Sequence, residues 1–149
     1  MKAKLLLAAC AALALAACAG VPTAPKVSPQ QQAKVITQAC PSLGQTVDEL
    51  QALNMPPSAH ADLAKAKALG AKVCSAAAVV ASAAPGTASF NLSDLQAVQT
   101  QAIPLLISAI KASPLSPSQQ NNAIVAVLGA QIIVQGAINA TQAATGSAS

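Results

Sequence analysis

Residues 28–50, SPQQQAKVITQACPSLGQTVDEL, carry a helix signature from the first residue to the last. Ser28 is followed by Pro29 and, three positions on, by Gln31. That is a capping box: a serine hydroxyl takes the N3 amide, the N3 glutamine reaches back to the cap amide, and proline occupies N1. Ile36, Cys40, Leu43, Val47 and Leu50 then recur at alternating intervals of four and three. Such spacing lays them on one stripe of a 3.6-residue helix. Pro41 lies inside this run and lacks the amide hydrogen that a helix interior uses, so a kink or break is expected there.

Three further helices follow the same logic. Met55-Pro56-Pro57-Ser58 ends the first helix and opens a second, expected from Pro57 to about Ala83. Its seam of Leu63, Ala66, Gly70, Val73, Ala77 and Val80 consists mostly of small residues, which let helices approach closely. Ala84-Pro85-Gly86-Thr87 closes it. In the segment FNLSDL, residues 90–95, Asn91 is placed to cap, Asp94 falls at N3, and Phe90 with Leu95 forms a hydrophobic staple. The third helix is expected to reach about Lys111, with a kink at Pro104. Ser116-Pro117-Ser118-Gln119 repeats the first capping pattern. The fourth helix then runs to about Ala144 with no charged residue, and between Ala123 and Ile138 it has Gln131 and Gln135 as its polar positions. A helix apolar all round reads as the buried centre of a bundle or as a membrane segment. Two glutamines and an apolar-dominated stretch of ~16 residues, against the ~20 that a span needs, favour burial.

The fold expected is therefore all-α, a small antiparallel four-helix bundle over residues 28–144, with 145–149 as a disordered tail. One spacing ties the first two helices together. The midpoint of Cys40 and Cys74 is residue 57, inside the Met55–Ser58 turn, so an antiparallel hairpin turning there brings the two sulfurs level. A disulfide between Cys40 and Cys74 is the expectation, geometrically as well as chemically. A metal site is not, because two cysteines and His60, the one histidine of the chain, fall short of a tetrahedral ligand set.

At the other end of the chain, Lys2 and Lys4 precede an apolar run, Leu5 to Leu15, that is too short to span a bilayer permanently. The run ends in Leu15-Ala16-Ala17-Cys18. This stretch resembles the lipobox of bacterial lipoproteins, in which a Leu and two small residues precede the cysteine. The resemblance covers about the first twenty residues. It implies a signal peptide over 1–17, diacylglycerol on the Cys18 thiol, cleavage just before Cys18 and acylation, with palmitate for example, of the freed amine. Ala19, rather than Asp, after that cysteine implies export to the outer membrane, facing the periplasm. Leu7-Ala8-Ala9-Cys10 has the same four-residue form but leaves too little apolar core before it. Ala17-Cys18-Ala19 also meets the A-x-A rule for ordinary secretory cleavage before Gly20, which would release an unanchored periplasmic protein. Residues 18–27 read as the lipidated cysteine and a tether containing Pro22 and Pro25; extended at ~3.1 Å per residue, it reaches less than about 30 Å.

Composition narrows the function classes. Beyond residue 17 there are six lysines, no arginine and four carboxylates (Asp48, Glu49, Asp62 and Asp94), and Lys65, Lys67 and Lys72 are spread over a helix that also carries Asp62. That is a solvated helix face, not a nucleic-acid surface. With Phe90 as the sole aromatic residue and no Arg, the chain lacks stacking platforms and the bidentate grip on phosphate or carboxylate. No nucleophile–base pair, phosphate loop or paired carboxylates emerge: Asp48 and Glu49 are adjacent and point about 100° apart on a helix. Gly129 and Gly136 read as packing notches. The expectation is a non-enzymatic lipoprotein without cofactor, metal or small-molecule substrate, held to the membrane by its lipid and acting as a structural or interaction module, with an envelope protein as its partner. Three alternatives stay open: a phage- or prophage-encoded lipoprotein acting on an envelope receptor or in lysis, a membrane-active hairpin of the third and fourth helices, and a soluble periplasmic binding protein.

Overall fold

The computed structural model describes residues 27–146. All regular structure among them is helical. Helix α1 spans Pro29–Gln51, α2 Pro57–Ser82, and α4 Pro117–Gly146. Between α2 and α4 lies α3, one rod of three parts: an α-helical Leu92–Ala97, a π-helical Val98–Ala102 and an α-helical Ile103–Ala112. The helices pack as a bundle in which α2 lies against α1 and α3, and α4 likewise lies against α1 and α3.

Both serine caps form as the sequence implies. The Gln31 amide donates to Ser28 Oγ at 3.3 Å, and the Ser28 amide donates to Gln31 Oε1 at 3.0 Å. Ser116 and Gln119 repeat the exchange at 3.4 and 3.0 Å. Asn91 caps α3 by accepting the Ser93 amide at 2.9 Å, one position earlier than the N3 partner of a capping box. Phe90 and Leu95 are buried in one cluster, as the staple requires. The α2–α3 loop turns on Ala84–Thr87, where the Thr87 amide donates to the Ala84 carbonyl at 3.1 Å and Gly86 has φ +79°. Proline at the second position and a left-handed glycine at the third give a type II turn.

The two interior prolines behave differently. No break occurs at Pro41: α1 continues through it to Gln51. The carbonyl deprived of its amide partner is that of Thr37, and Thr37 and Pro41 both lie on the exposed side, where water can satisfy it. Pro104 sits just after the π-helical turn, whose end is marked by the Ile103 amide donating to Val98, five residues back. Widening the turn ahead of Pro104 moves the preceding carbonyls out of the path of the ring.

Two apolar clusters form the core. One joins Ala33 and Ile36 of α1 to Val73, Ala77 and Val80 of α2, Phe90 and Leu95, and Val134, Ala137 and Ile138 of α4. The other joins Val47, Leu50 and Met55 to Ala59 and Leu63 of α2, Ile103, Ala109 and Ile110 of α3, and Val127 of α4. The small-residue seam of α2 is buried at Leu63, Ala66, Val73, Ala77 and Val80, as expected. Gly70 is the exception, with open space where a Cβ would stand.

Helix α4 is not the fully buried centre that its composition suggests. Val127, Val134, Ala137, Ile138, Ala140 and Thr141 are buried, whereas Val125, Leu128 and Ile132 are 61%, 42% and 65% exposed. With two packing neighbours rather than a surrounding ring, one face stays uncovered. The helix also runs through Gly146, taking in the first residues expected to be a disordered tail. Of the two glycines read as packing notches, Gly136 is one: a Cβ there would meet the Gln32 amide at 3.1 Å. Gly129 faces open space.

Candidate functional site

The lipobox, Cys18 and residues 18–26 of the tether lie outside the described residues. What the tether would hold begins at Val27 and enters α1 through the Ser28 cap. This entry is close to α4, since Gln32, one turn into α1, lies against Gly136.

Cys40 and Cys74 form a disulfide, with Cα atoms 6.0 Å apart and 34 residues between them in sequence. It clamps the middle of α1 to the second half of α2. The ion pair of Lys67 with Asp48 joins the same two helices; both side chains are about half exposed, so its contribution to stability is small.

The residue types that carry chemistry stay apart. His60 stands in the first turn of α2, Glu49 is exposed, and Asp48 is engaged by Lys67. Among the described residues no three of His, Cys, Asp and Glu gather at one place. An open groove of about 450 Å³ lies between α3 and α4. Ile103, Pro104, Ile107, Ser108 and Lys111 line it from α3, and Gln131 lines it from α4. This lining has aliphatic contact and one cation to offer, but no carboxylate, imidazole or thiol for acid–base or nucleophilic work. Gln99 of α3 also lines the groove; its side-chain amide donates to Gln135 Oε1, and Gln135 donates in turn to Asn139 Oδ1 at 3.0 Å. Gln135 thus ties α4 to α3.

Leu128 precedes Gln131 by one helical turn and lies on the same side of α4, with Ile132 and Val125 next to it on the outer surface. An apolar outer face therefore borders the groove. Val125, Leu128 and Ile132 are spaced three and four apart, on the side of α4 opposite Val127 and Val134, but apolar residues on every side of the helix hide that stripe in the sequence. By length and composition α4 could cross a membrane, with a mean hydropathy of 1.8 over its most apolar stretch, of which 28% is buried in the bundle. A core helix can pass the same test.

No family model, no curated protein and no solved structure matches this chain.

Proposed function

We infer that this chain is a lipid-anchored, non-enzymatic lipoprotein of the Gram-negative envelope that exposes its helical domain to the periplasm as a structural or interaction module. The observation that carries this reading is Leu15-Ala16-Ala17-Cys18 at the end of a short apolar run behind Lys2 and Lys4. The pairing of Cys40 with Cys74 supports it, because structural disulfides persist in oxidising compartments. The groove between α3 and α4 also supports it, since its lining suits contact rather than catalysis. The body would be an antiparallel four-helix bundle: residues early in α1 share a cluster with residues late in α2 and late in α4, and residues late in α1 share one with residues early in α2. Acyl chains contribute ~0.8 kcal/mol per buried CH₂, so a triacylated Cys18 holds the domain to the membrane for good.

Labelled palmitate fed to cells expressing the full chain tests the reading. Label should enter the wild-type protein and be absent from a Cys18→Ala variant. A wild-type protein that takes up no label would overturn it.

A further inference from the structure

The outer face of α4 is unpartnered and lacks charge. No charged residue occurs between Pro117 and Gly146, and Val125, Leu128 and Ile132 stand exposed along it. Most of the acids and lysines of the domain lie elsewhere: Lys34, Asp48 and Glu49 on α1, and Asp62, Lys65, Lys67 and Lys72 on α2; Asp94 stands in the first turn of α3. Charge is thus concentrated on α1 and α2, whereas α4 presents three exposed aliphatic residues and no charge. Lys111, at the end of α3, lines the groove beside the apolar flank.

We propose that the α3–α4 flank, with Val125, Leu128 and Ile132 at its centre and Lys111 at its rim, lies on the phospholipid leaflet that holds the acyl chains of Cys18, so that the domain rests against its own membrane. The proposal depends on the lipoprotein reading above. Three observations choose a lipid surface as the occupant. The first is reach. Residues 19–27, extended at ~3.1 Å each, span less than about 30 Å, so the domain never moves far from the leaflet. The tether enters the fold at Ser28, near α4, because Gln32 packs on Gly136. The start of the fold is thus beside the helix that bears the apolar face.

The second is chemistry. Three aliphatic side chains and a proline make a poor protein hot spot, for which buried Trp, Tyr and Arg are the usual anchors. They also cover far less than the ~800 Å² per partner of a standard interface between proteins. For a lipid surface they suffice, because affinity there follows apolar area and the tether already supplies a high local concentration. The third is charge: a lysine at the edge of an apolar face can bury its stem along it and place the ammonium among lipid phosphates. Lys111 is so placed, and α4 brings no carboxylate to repel them. The one carboxylate of α3, Asp94, stands in its first turn, at the opposite end of that helix from Lys111. The helix lies on the leaflet rather than crossing it, since Val134 and Ile138 are committed to the core with Ile36 and Leu95.

The chain has no Trp and no Tyr, so a single indole reports its own surroundings. Full-length Leu128→Trp, Ile132→Trp and, as a control on the exposed flank of α2, Val79→Trp are purified from palmitate-labelled cells. Each is reconstituted into vesicles of phosphatidylethanolamine and phosphatidylglycerol with brominated acyl chains. Positions 128 and 132 are both exposed, so a fold lost in one variant leaves the other. With label incorporated, the indoles at 128 and 132 should emit further to the blue than that at 79 and be quenched several-fold more strongly. Label with equal quenching at 79 and 128 would overturn the docking and leave the anchor standing. A blue shift at 128 without quenching would also overturn it, because a protein surface, such as a second copy, would then cover the face. Absent label would remove the anchor, and the proposal with it.

Discussion

Ile132 and Val134 stand on one helix, two residues apart, in opposite surroundings: Ile132 is 65% exposed and Val134 is 7% exposed. About 200° of helix rotation separates them. Hydropathy sees two equivalent aliphatic residues; the fold buries one against Ile36 and Leu95 and leaves the other bare. The docking proposed for the α3–α4 flank turns on that difference.

The two faces of α4 should therefore answer differently to truncation. Ile138→Ala, in the core, should cost about 2–4 kcal/mol of unfolding free energy, while Ile132→Ala should change it by no more than about 0.5 kcal/mol. Urea denaturation of the two variants checks this. Equal losses would mean that Ile132 is covered in the protein in solution.

The Cys40–Cys74 bond closes a 34-residue separation. On the chain-entropy account such a loop stabilises the folded state by about 3–4 kcal/mol, a large share of the 5–15 kcal/mol typical of a domain. Cys40→Ser should lower the denaturation midpoint to that of the reduced wild type, and reductant should leave the variant's own midpoint unchanged. Identical midpoints for wild type with and without reductant would show that the bond is absent or inert.

Glycines at unlike positions should respond with opposite sign. Gly86 occupies the left-handed position of the Ala84–Thr87 turn, so Gly86→Ala should destabilise by about 1 kcal/mol. Gly70 and Gly129 sit inside helices with open space about them, and alanine at either should gain up to about 1 kcal/mol. Thermal melts followed by circular dichroism would give the signs. A stabilising Gly86→Ala would rule out the type II turn.

Thr141 is 1% exposed, and its hydroxyl has no hydrogen-bond partner. A buried, unsatisfied hydroxyl costs about 1–3 kcal/mol, and valine keeps the side-chain shape without it. Thr141→Val should raise stability by about 1 kcal/mol in the same denaturation assay. A loss of stability would mean that the hydroxyl has a partner in solution.

Features settled by neighbouring residues were legible in the sequence. The Ser28–Gln31 and Ser116–Gln119 boxes, the Asn91 cap, the Phe90–Leu95 staple and the pairing of Cys40 with Cys74 each depend on a few residues and a spacing. Features settled by packing were not. Pro41 and Pro104 carry the same covalent constraint; α1 continues through the first, on its exposed side, and α3 takes a π-helical turn ahead of the second. Gly129 and Gly136 look alike seven residues apart, until the position of Gln32 distinguishes them. Helix α4 was the hardest to read. Its apolar residues run all round the helix, so no periodicity marks an inner face, and the uncovered stripe beside the α3–α4 groove became visible with the placement of α1 and α3.

The mass of the mature protein, released intact from membranes, tests the central claim most directly. A polypeptide starting at Cys18 and heavier than its sequence by a diacylglyceryl group and an amide-linked acyl chain is the result predicted. A chain that starts at Gly20 with a free amine and no lipid would contradict the account.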